Sequence, residues 1–208
     1  NVGGSRNLLQ ALANLPTAPQ SVLIASSATV YGNSAEGKLT EATAICPAND
    51  YAVSKAAMEM MANLWTDRLP IVIARPFNYT GVGQSTNFLI PKIVDHFRRK
   101  APQIELGNLQ VWRDFSDVRD VVGAYRCLVE QEVSSIVVNV GSQALYSLQD
   151  VLNLCVNLTG HKMEVRVNPA FVRANEVKTL CADTSRLESL IGKRALVPLE
   201  QTLQWMLT

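Results

Sequence analysis

Ser21-Val-Leu-Ile-Ala25 is an unbroken apolar run, and Pro70-Ile-Val-Ile-Ala74 repeats its character further along the chain. Short runs of this kind read as strands of a parallel sheet buried on both faces. Each is followed by a polar loop and then a helix. The first loop, rich in Gly, Asn, Ser and Pro, extends to about Asp50 and leads into a helix from Tyr51 to Trp65. The second, from Asn78 to Asn87, leads into a helix from Pro91 to Arg99. Strand, loop and helix in repeated order predict an α/β fold with a doubly wound parallel, Rossmann-like sheet.

Upstream, Leu8, Leu9, Leu12 and Leu15 form one stripe of a helix from Ser5 to Leu15, which Pro16 ends. Downstream of Gln103 the texture changes. The pattern predicts a short strand at Ile104-Leu106, a polar hinge at Trp112-Arg-Asp114, a helix from Val118 to Glu130, a strand from Ile136 to Val140 and a helix from Leu148 to Thr159. A strand at Val165-Val167 and helices Ser185 to Ile191 and Leu199 to Leu207 complete it. Arg98-Arg99-Lys100 reads as a solvated helix end favoured by the helix dipole.

Composition narrows the function classes. Of 208 residues, 48% are hydrophobic and 18% charged, which fits a globular chain. Nineteen Lys and Arg against eighteen Asp and Glu leave a net charge of +1, so no electrostatic case exists for binding a nucleic-acid polymer. No apolar run approaches the ~20 residues that span a bilayer, and the start lacks a secretory pattern, so a cytoplasmic protein without membrane contact is expected. Cys46, Cys127, Cys155 and Cys181 are scattered without a CxxC pair and are expected as buried free thiols. His96 and His161 have no ligand-like companions, so no metal is expected.

The chemistry concentrates at two places. Ser26-Ser27-Ala-Thr29-Val-Tyr31-Gly32 lies at the end of the first strand, and Tyr51-Ala-Val-Ser-Lys55 opens the helix that follows. Spacing i, i+4 stacks Tyr51 and Lys55 on one helix face. An ammonium there favours the phenolate, lowering the phenol pKa from its reference of about 10. With the Ser27 hydroxyl converging on the same point, these groups would hand a proton to a carbonyl oxygen while hydride arrives at its carbon.

Those residues, with Arg75-Pro-Phe-Asn78, Arg113-Asp-Phe-Ser-Asp-Val-Arg-Asp120 and Arg173-Ala-Asn-Glu176, fall in the order and spacing of a known group. The chain resembles the extended short-chain dehydrogenases/reductases that act as nucleotide-sugar epimerases, dehydratases and reductases. The resemblance covers essentially all 208 residues. It implies that Ser27, Tyr51 and Lys55 are catalytic. It implies NAD or NADP as cofactor, held by Ala25, Ser26, Tyr51, Lys55, Arg75, Pro76 and Phe77. Thr29, Asn78, Asn87, Arg113, Arg173 and Glu176 would contact a nucleotide sugar, the two guanidinium forks clamping its diphosphate. Without the ordered motifs, Arg113 beside Asp114 and Arg173 near Glu176 would read as surface ion pairs.

The expected division assigns residues 1–102 to the C-terminal part of a dinucleotide-binding domain. Residues 103–208 would be mainly a small C-terminal α/β substrate lobe, with about 118–150 returning to the main sheet. Such sheets normally open with a glycine-rich strand–turn–helix that holds the pyrophosphate. No GxGxxG occurs here, and Gly81-Val-Gly83 lacks a third glycine, so that half is expected in an N-terminal portion preceding these residues.

Dehydratases of the group carry a carboxylate two positions after the active-site hydroxyl. Here Thr29 stands there, which disfavours dehydration. Reduction of a 4-keto sugar remains, with likeness to the branch acting on GDP-linked 6-deoxy sugars. Alternatives are 4-epimerisation and a non-catalytic fragment that only binds nucleotide sugar. A homodimer through the helix carrying Tyr51 and Lys55 is also expected, with Met58, Met60, Met61 and Trp65 suited to a seam or equally to the core.

Overall fold

The computed structural model describes residues 1–33, 35–172 and 177–208. In chain order the elements are α1 (Val2–Ala13), β1 (Val22–Ala25), a 3-10 turn (Ala28–Tyr31), β2 (Gly37–Leu39), α2 (Asp50–Asn63), β3 (Ile71–Pro76), β4 (Asn78–Thr80) and α3 (Leu89–Arg98). Then follow β5 (Gln103–Leu106), β6 (Trp112–Asp117), α4 (Val118–Glu130), β7 (Ile136–Val140), β8 (Leu145–Ser147) and α5 (Leu148–Thr159). The last are β9 (Glu164–Val167), a 3-10 turn (Pro169–Phe171), β10 (Thr179–Ala182), α6 (Ser185–Ile191) and α7 (Leu199–Leu207).

β3 organises the layers. It is buried along its whole length and lies parallel between β1 and β7. Because successive side chains of a strand face opposite ways, Ile71 and Ile73 pack toward α1 and α2, with Leu9, Met58 and Ala62. Val72 and Ala74 pack toward α4 and α6, with Val121, Ala124, Leu128 and Leu187. Each Val, Leu, Ile or Met side chain among them, fully buried, contributes roughly 1.5–3 kcal/mol. Helices on both faces of a parallel sheet are the doubly wound arrangement that the apolar runs predict. β1 is less enclosed than its run implies: Leu23 is half-buried and Ala25 exposed, because β1 has β3 as its one hydrogen-bonded neighbour among the described residues.

A second sheet has the order β2-β10-β6-β4, with β8 antiparallel on β6. β5 and β9 form a parallel pair, and α3, α5 and α7 cover β5 and β6 around Phe97, Ile104, Phe115, Leu152 and Leu203. The polar hinge expected at Trp112-Arg-Asp114 is instead the start of β6. Asp114, fully buried, accepts from the backbone N–H of Ser142 (2.8 Å), Gln143 (3.0 Å) and Ala182 (3.2 Å) and from the Ser142 hydroxyl (2.6 Å). A buried carboxylate satisfied by neighbouring strands and loops looks like a loop residue in sequence, since only distant chain supplies its partners.

The helices begin where their caps dictate. Asn49, Asp117 and Ser147 precede α2, α4 and α5, each accepting from a first-turn N–H, and Ser147 completes a capping box with Asp150. α1 starts earlier than Ser5, taking in Gly3 and Gly4, and Asn1 Nδ2 donates to Ser54 Oγ of α2 at 2.8 Å. Cys155 and Cys181 are buried, and burial pushes the Cys155 thiol up to about 12. Cys46, expected to be buried, is exposed in the loop before α2. No described helix is long and apolar enough to cross a membrane.

Candidate active site

The parallel register sets the site. Ala25 pairs with Ala74, and the next N–H, Ser26, donates to the Ala74 carbonyl at 2.7 Å. Phe77 N–H then reaches the Val140 carbonyl at 2.8 Å. Ser26-Ser27 and Pro76-Phe77 therefore leave the same, C-terminal, edge of the sheet, where open α/β sheets bind ligands. An open cleft with about 770 Å³ of empty space, part of it continuous with solvent, lies there. Ser27, Thr29, Pro76, Phe77, Asn78 and Arg113 line it, together with Asn33 and Asn49.

Two adjacent serines have opposite fates. Ser26 is buried and its hydroxyl donates to the Glu59 carboxylate of α2. Ser27 faces the cleft and caps the 3-10 turn, its Oγ accepting from Thr29 N (3.2 Å) and from the Thr29 hydroxyl (2.9 Å). A hydroxyl oxygen that accepts twice keeps its own proton for donation, and Ser27 spends that proton on none of the described groups. Gly32 closes this turn with φ 65°, and a Cβ there would meet the Cys46 carbonyl oxygen at 1.7 Å.

α2 starts at the cleft, since Ala48 and Asn49 line it. Tyr51, half exposed, sits in the first turn outside the cleft lining. One turn on, Lys55 Nζ lies 5.8 Å from the Tyr51 ring centroid and donates to the Ala25 carbonyl at 2.7 Å. Desolvation moves the Lys55 ammonium below its usual range. An ammonium has three protons, so two remain for a ligand. That donor set, the Ser27 hydroxyl and the apolar wall of Pro76 and Phe77 fit the nicotinamide-ribose end of a dinucleotide.

Arg75 is not the ligand contact that the sequence suggests. Its guanidinium, 4% exposed, binds Glu59 through Nε (2.9 Å) and Nη2 (2.6 Å) and donates to Tyr31 Oη at 3.0 Å. Burial alone would lower its pKa, but Glu59 and Tyr31 raise it overall. Tyr31 passes the network on to Asn139 Oδ1 at 2.6 Å. Burial pushes the Tyr31 phenol up, against the opposing pull of Arg75. The Ser26 side chain, likewise expected at the cofactor, belongs to this network. Sequence reading missed it because Glu59 looks like any helix carboxylate. Its one signal is spacing: Glu59 lies one turn beyond Lys55 on the buried side.

The other expected contacts divide. Asn78 lines the cleft, and its Nδ2 donates to the Asp114 carbonyl at 3.4 Å. Arg113 Nη1 donates to the carbonyls of Trp112 (2.9 Å) and Lys178 (3.2 Å), which holds one side of its guanidinium against β6 and the residue before β10. Asn87 is exposed and lies outside the cleft lining. Arg173 and Glu176 lie outside the described residues. Gly81, the first glycine of the GxG, allows close packing: a Cβ would meet Val118 Cγ1 at 2.5 Å and Trp205 at 3.3 Å. Asn33 and Asn49 are cleft residues the sequence did not single out; Asn49 was findable as the polar residue immediately before a helix.

This combination of doubly wound sheet, strand-end serine and YxxxK helix matches a described family. The GDP-mannose 4,6 dehydratase family pattern covers residues 1–206. The chain belongs to that family, within the extended short-chain dehydrogenases/reductases. It is 34% identical over 192 residues to GDP-6-deoxy-D-talose 4-dehydrogenase of Aggregatibacter actinomycetemcomitans, covering 92% of this chain and 65% of that protein. It is 32% identical over 217 residues to GDP-6-deoxy-D-mannose reductase of Pseudomonas aeruginosa, covering 100% and 71%. The chain thus spans about two thirds of the length of these relatives. Among solved structures, a protein from Burkholderia cenocepacia J2315, provisionally named an epimerase, superposes with TM-score 0.97 at 54% identity over 99% of this chain and 68% of that one. RMD from Pseudomonas aeruginosa, complexed with NADPH, superposes with TM-score 0.90 at 32% identity, covering 99% and 71%.

Proposed function

We propose that this chain carries the catalytic and sugar-binding residues of an NAD(P)H-dependent reductase. Its substrate is the 4-keto group of a nucleotide-linked 6-deoxy sugar, GDP-4-dehydro-6-deoxy-D-mannose in preference, and its product GDP-D-rhamnose. The observation that carries this reading is Ser27: a hydroxyl at the strand edge, saturated as an acceptor and free as a donor, beside the helix that bears Tyr51 and Lys55. The likeness to two relatives named for GDP-6-deoxyhexoses, one of them a 4-dehydrogenase, supports the substrate class.

The bound nicotinamide would supply hydride to the carbonyl carbon. Ser27 donates a hydrogen bond to the keto oxygen, stabilising the negative charge that gathers there. Tyr51 gives that oxygen its proton. Lys55, held by the Ala25 carbonyl, holds the nicotinamide ribose. Pro76 and Phe77 form the wall beside the nicotinamide. Thr29, Asn78 and Asn87, with the guanidinium groups of Arg113 and Arg173 and the carboxylate of Glu176, hold the nucleotide sugar. The α2 face forms a homodimer seam.

The test is incubation of the full-length protein with NADPH or NADH and GDP-4-dehydro-6-deoxy-D-mannose. Dinucleotide oxidation with GDP-D-rhamnose as product, identified by NMR at C4, and its loss in Tyr51→Phe, is the expected result. GDP-6-deoxy-D-talose as product would transfer the assignment to the opposite C4 stereochemistry, which the 34% identical relative favours. Interconversion of sugars without net dinucleotide oxidation would make it a 4-epimerase. Binding of GDP without any turnover would leave a nucleotide-sugar binder.

A further inference from the structure

Ser27 does not stand alone in the cleft. Thr29, two residues on and exposed to the same space, directs both its backbone N–H and its hydroxyl at Ser27 Oγ, at 3.2 and 2.9 Å. The N–H contact is the cap of the 3-10 turn and any residue at position 29 except proline supplies it. The hydroxyl contact depends on the side chain. An oxygen with one lone pair still open can accept from solvent or from a sugar hydroxyl, and its proton then has no fixed direction. With both lone pairs engaged, the Ser27 proton is the group left to donate, and Ser27 lines the cleft.

We propose that Thr29 is a positioning residue for carbonyl reduction: its hydroxyl commits Ser27 to donate to the keto oxygen and strengthens that bond. The chain Thr29 Oγ1–H to Ser27 Oγ–H to carbonyl oxygen polarises in one direction, and each link reinforces the next as negative charge builds on the oxygen. This gives position 29 a purpose that a carboxylate could not serve, because an ionised carboxylate accepts and never donates. The inference rests on the reading of Ser27 as the hydroxyl that meets the keto oxygen.

The test uses the full-length protein and GDP-4-dehydro-6-deoxy-D-mannose labelled with carbon-13 at C4, with oxidised dinucleotide bound so that no turnover occurs. The carbonyl stretching frequency of the bound sugar reports how strongly its oxygen is hydrogen-bonded. A downshift from the frequency in water-free solvent is expected in the wild type, smaller in Thr29→Val, and largely restored in Thr29→Ser. In steady-state reduction, Thr29→Val should lower kcat about tenfold, a fraction of the cost of removing a whole oxyanion donor, in addition to any rise in KM from its contact to the sugar. A wild-type frequency in Thr29→Val, or a loss confined to KM, overturns the role of Thr29 while leaving Ser27 in place. No difference between wild type and Ser27→Ala overturns the reading beneath it, and the role of Thr29 with it.

Discussion

Ser26 and Ser27 are neighbours of identical chemistry, and the alternation of an extended chain sends them to opposite sides. One meets Glu59 in the core, the other faces the cleft. In the proposed reaction Ser27→Ala should lower kcat by about 10²–10³-fold, the range for an oxyanion-hole donor. Ser26→Ala should instead register in thermal stability, through a buried Glu59 oxygen that keeps Arg75 Nε but loses its second donor; equal kinetic losses in the two variants would remove the distinction. Tyr51 and Lys55 were legible from spacing, because i, i+4 on a helix is a local relation needing no knowledge of the fold. Arg75 was misleading for the opposite reason. Its guanidinium could reach toward either the cleft or the core from β3, and the Glu59 carboxylate on a different element decides which.

At the scale of elements, the Glu59–Arg75 pair ties α2 to β3, and Tyr31 extends the tie to the 3-10 turn that Ser27 caps. Removing one partner strands the other in a buried site. Arg75→Met is therefore expected to cost about 3–5 kcal/mol in urea unfolding, whereas Glu59→Met with Arg75→Met should recover part of the loss. No recovery in the double variant would mean that the contacts to Ser26 and Tyr31 outweigh the pair.

α4 is anchored by a second ionic cluster. Asp117 caps it, accepts from the Arg119 guanidinium at 2.7 and 2.9 Å and from the Thr202 hydroxyl of α7 at 2.7 Å. The guanidinium also stacks on Trp205, 4.2 Å from its ring centroid. Burial alone would raise the Asp117 pKa, but the bonds from Arg119 and Thr202 outweigh it and hold the carboxyl below the ordinary value of 3.8. A depressed folded-state pKa contributes stability at all pH above the unfolded value and loses it as pH falls through the folded one. Asp117→Asn should thus be less stable than wild type at pH 7, and the gap should narrow below about pH 4. A gap independent of pH would exclude the ionised form as its source. The helix after Asp117 was visible in sequence, but the Thr202 hydroxyl of α7 that Asp117 accepts from was not.

For the whole molecule, the composition of α2 left seam and core equally open, and packing divides them. Met58 is buried on β3, and Met61 and Trp65 are partly buried against the same cluster. Met60 is 62% exposed and Val53 52%. These outward residues are the part suited to the proposed homodimer seam. Met60→Glu is expected to shift the protein from dimer to monomer in analytical ultracentrifugation without changing its far-ultraviolet circular dichroism. A wild-type monomer would dismiss the seam.

What the sequence determined by itself is local. Apolar runs placed the helices and five of the ten described strands, β1, β3, β5, β7 and β9, because helix and strand periods depend on residues within a turn or two. The ordered motifs then pointed to the family. Tertiary structure alone decided the rest: that Trp112-Arg-Asp114 is a strand, that β2, β4, β8 and β10 exist, that the Ser26 side chain turns inward to Glu59, and that the Arg75 guanidinium belongs to the core. Those outcomes depend on hydrogen-bond and ionic partners distant in the chain. A buried polar group is stable only where such partners meet it, and a linear pattern does not contain that meeting.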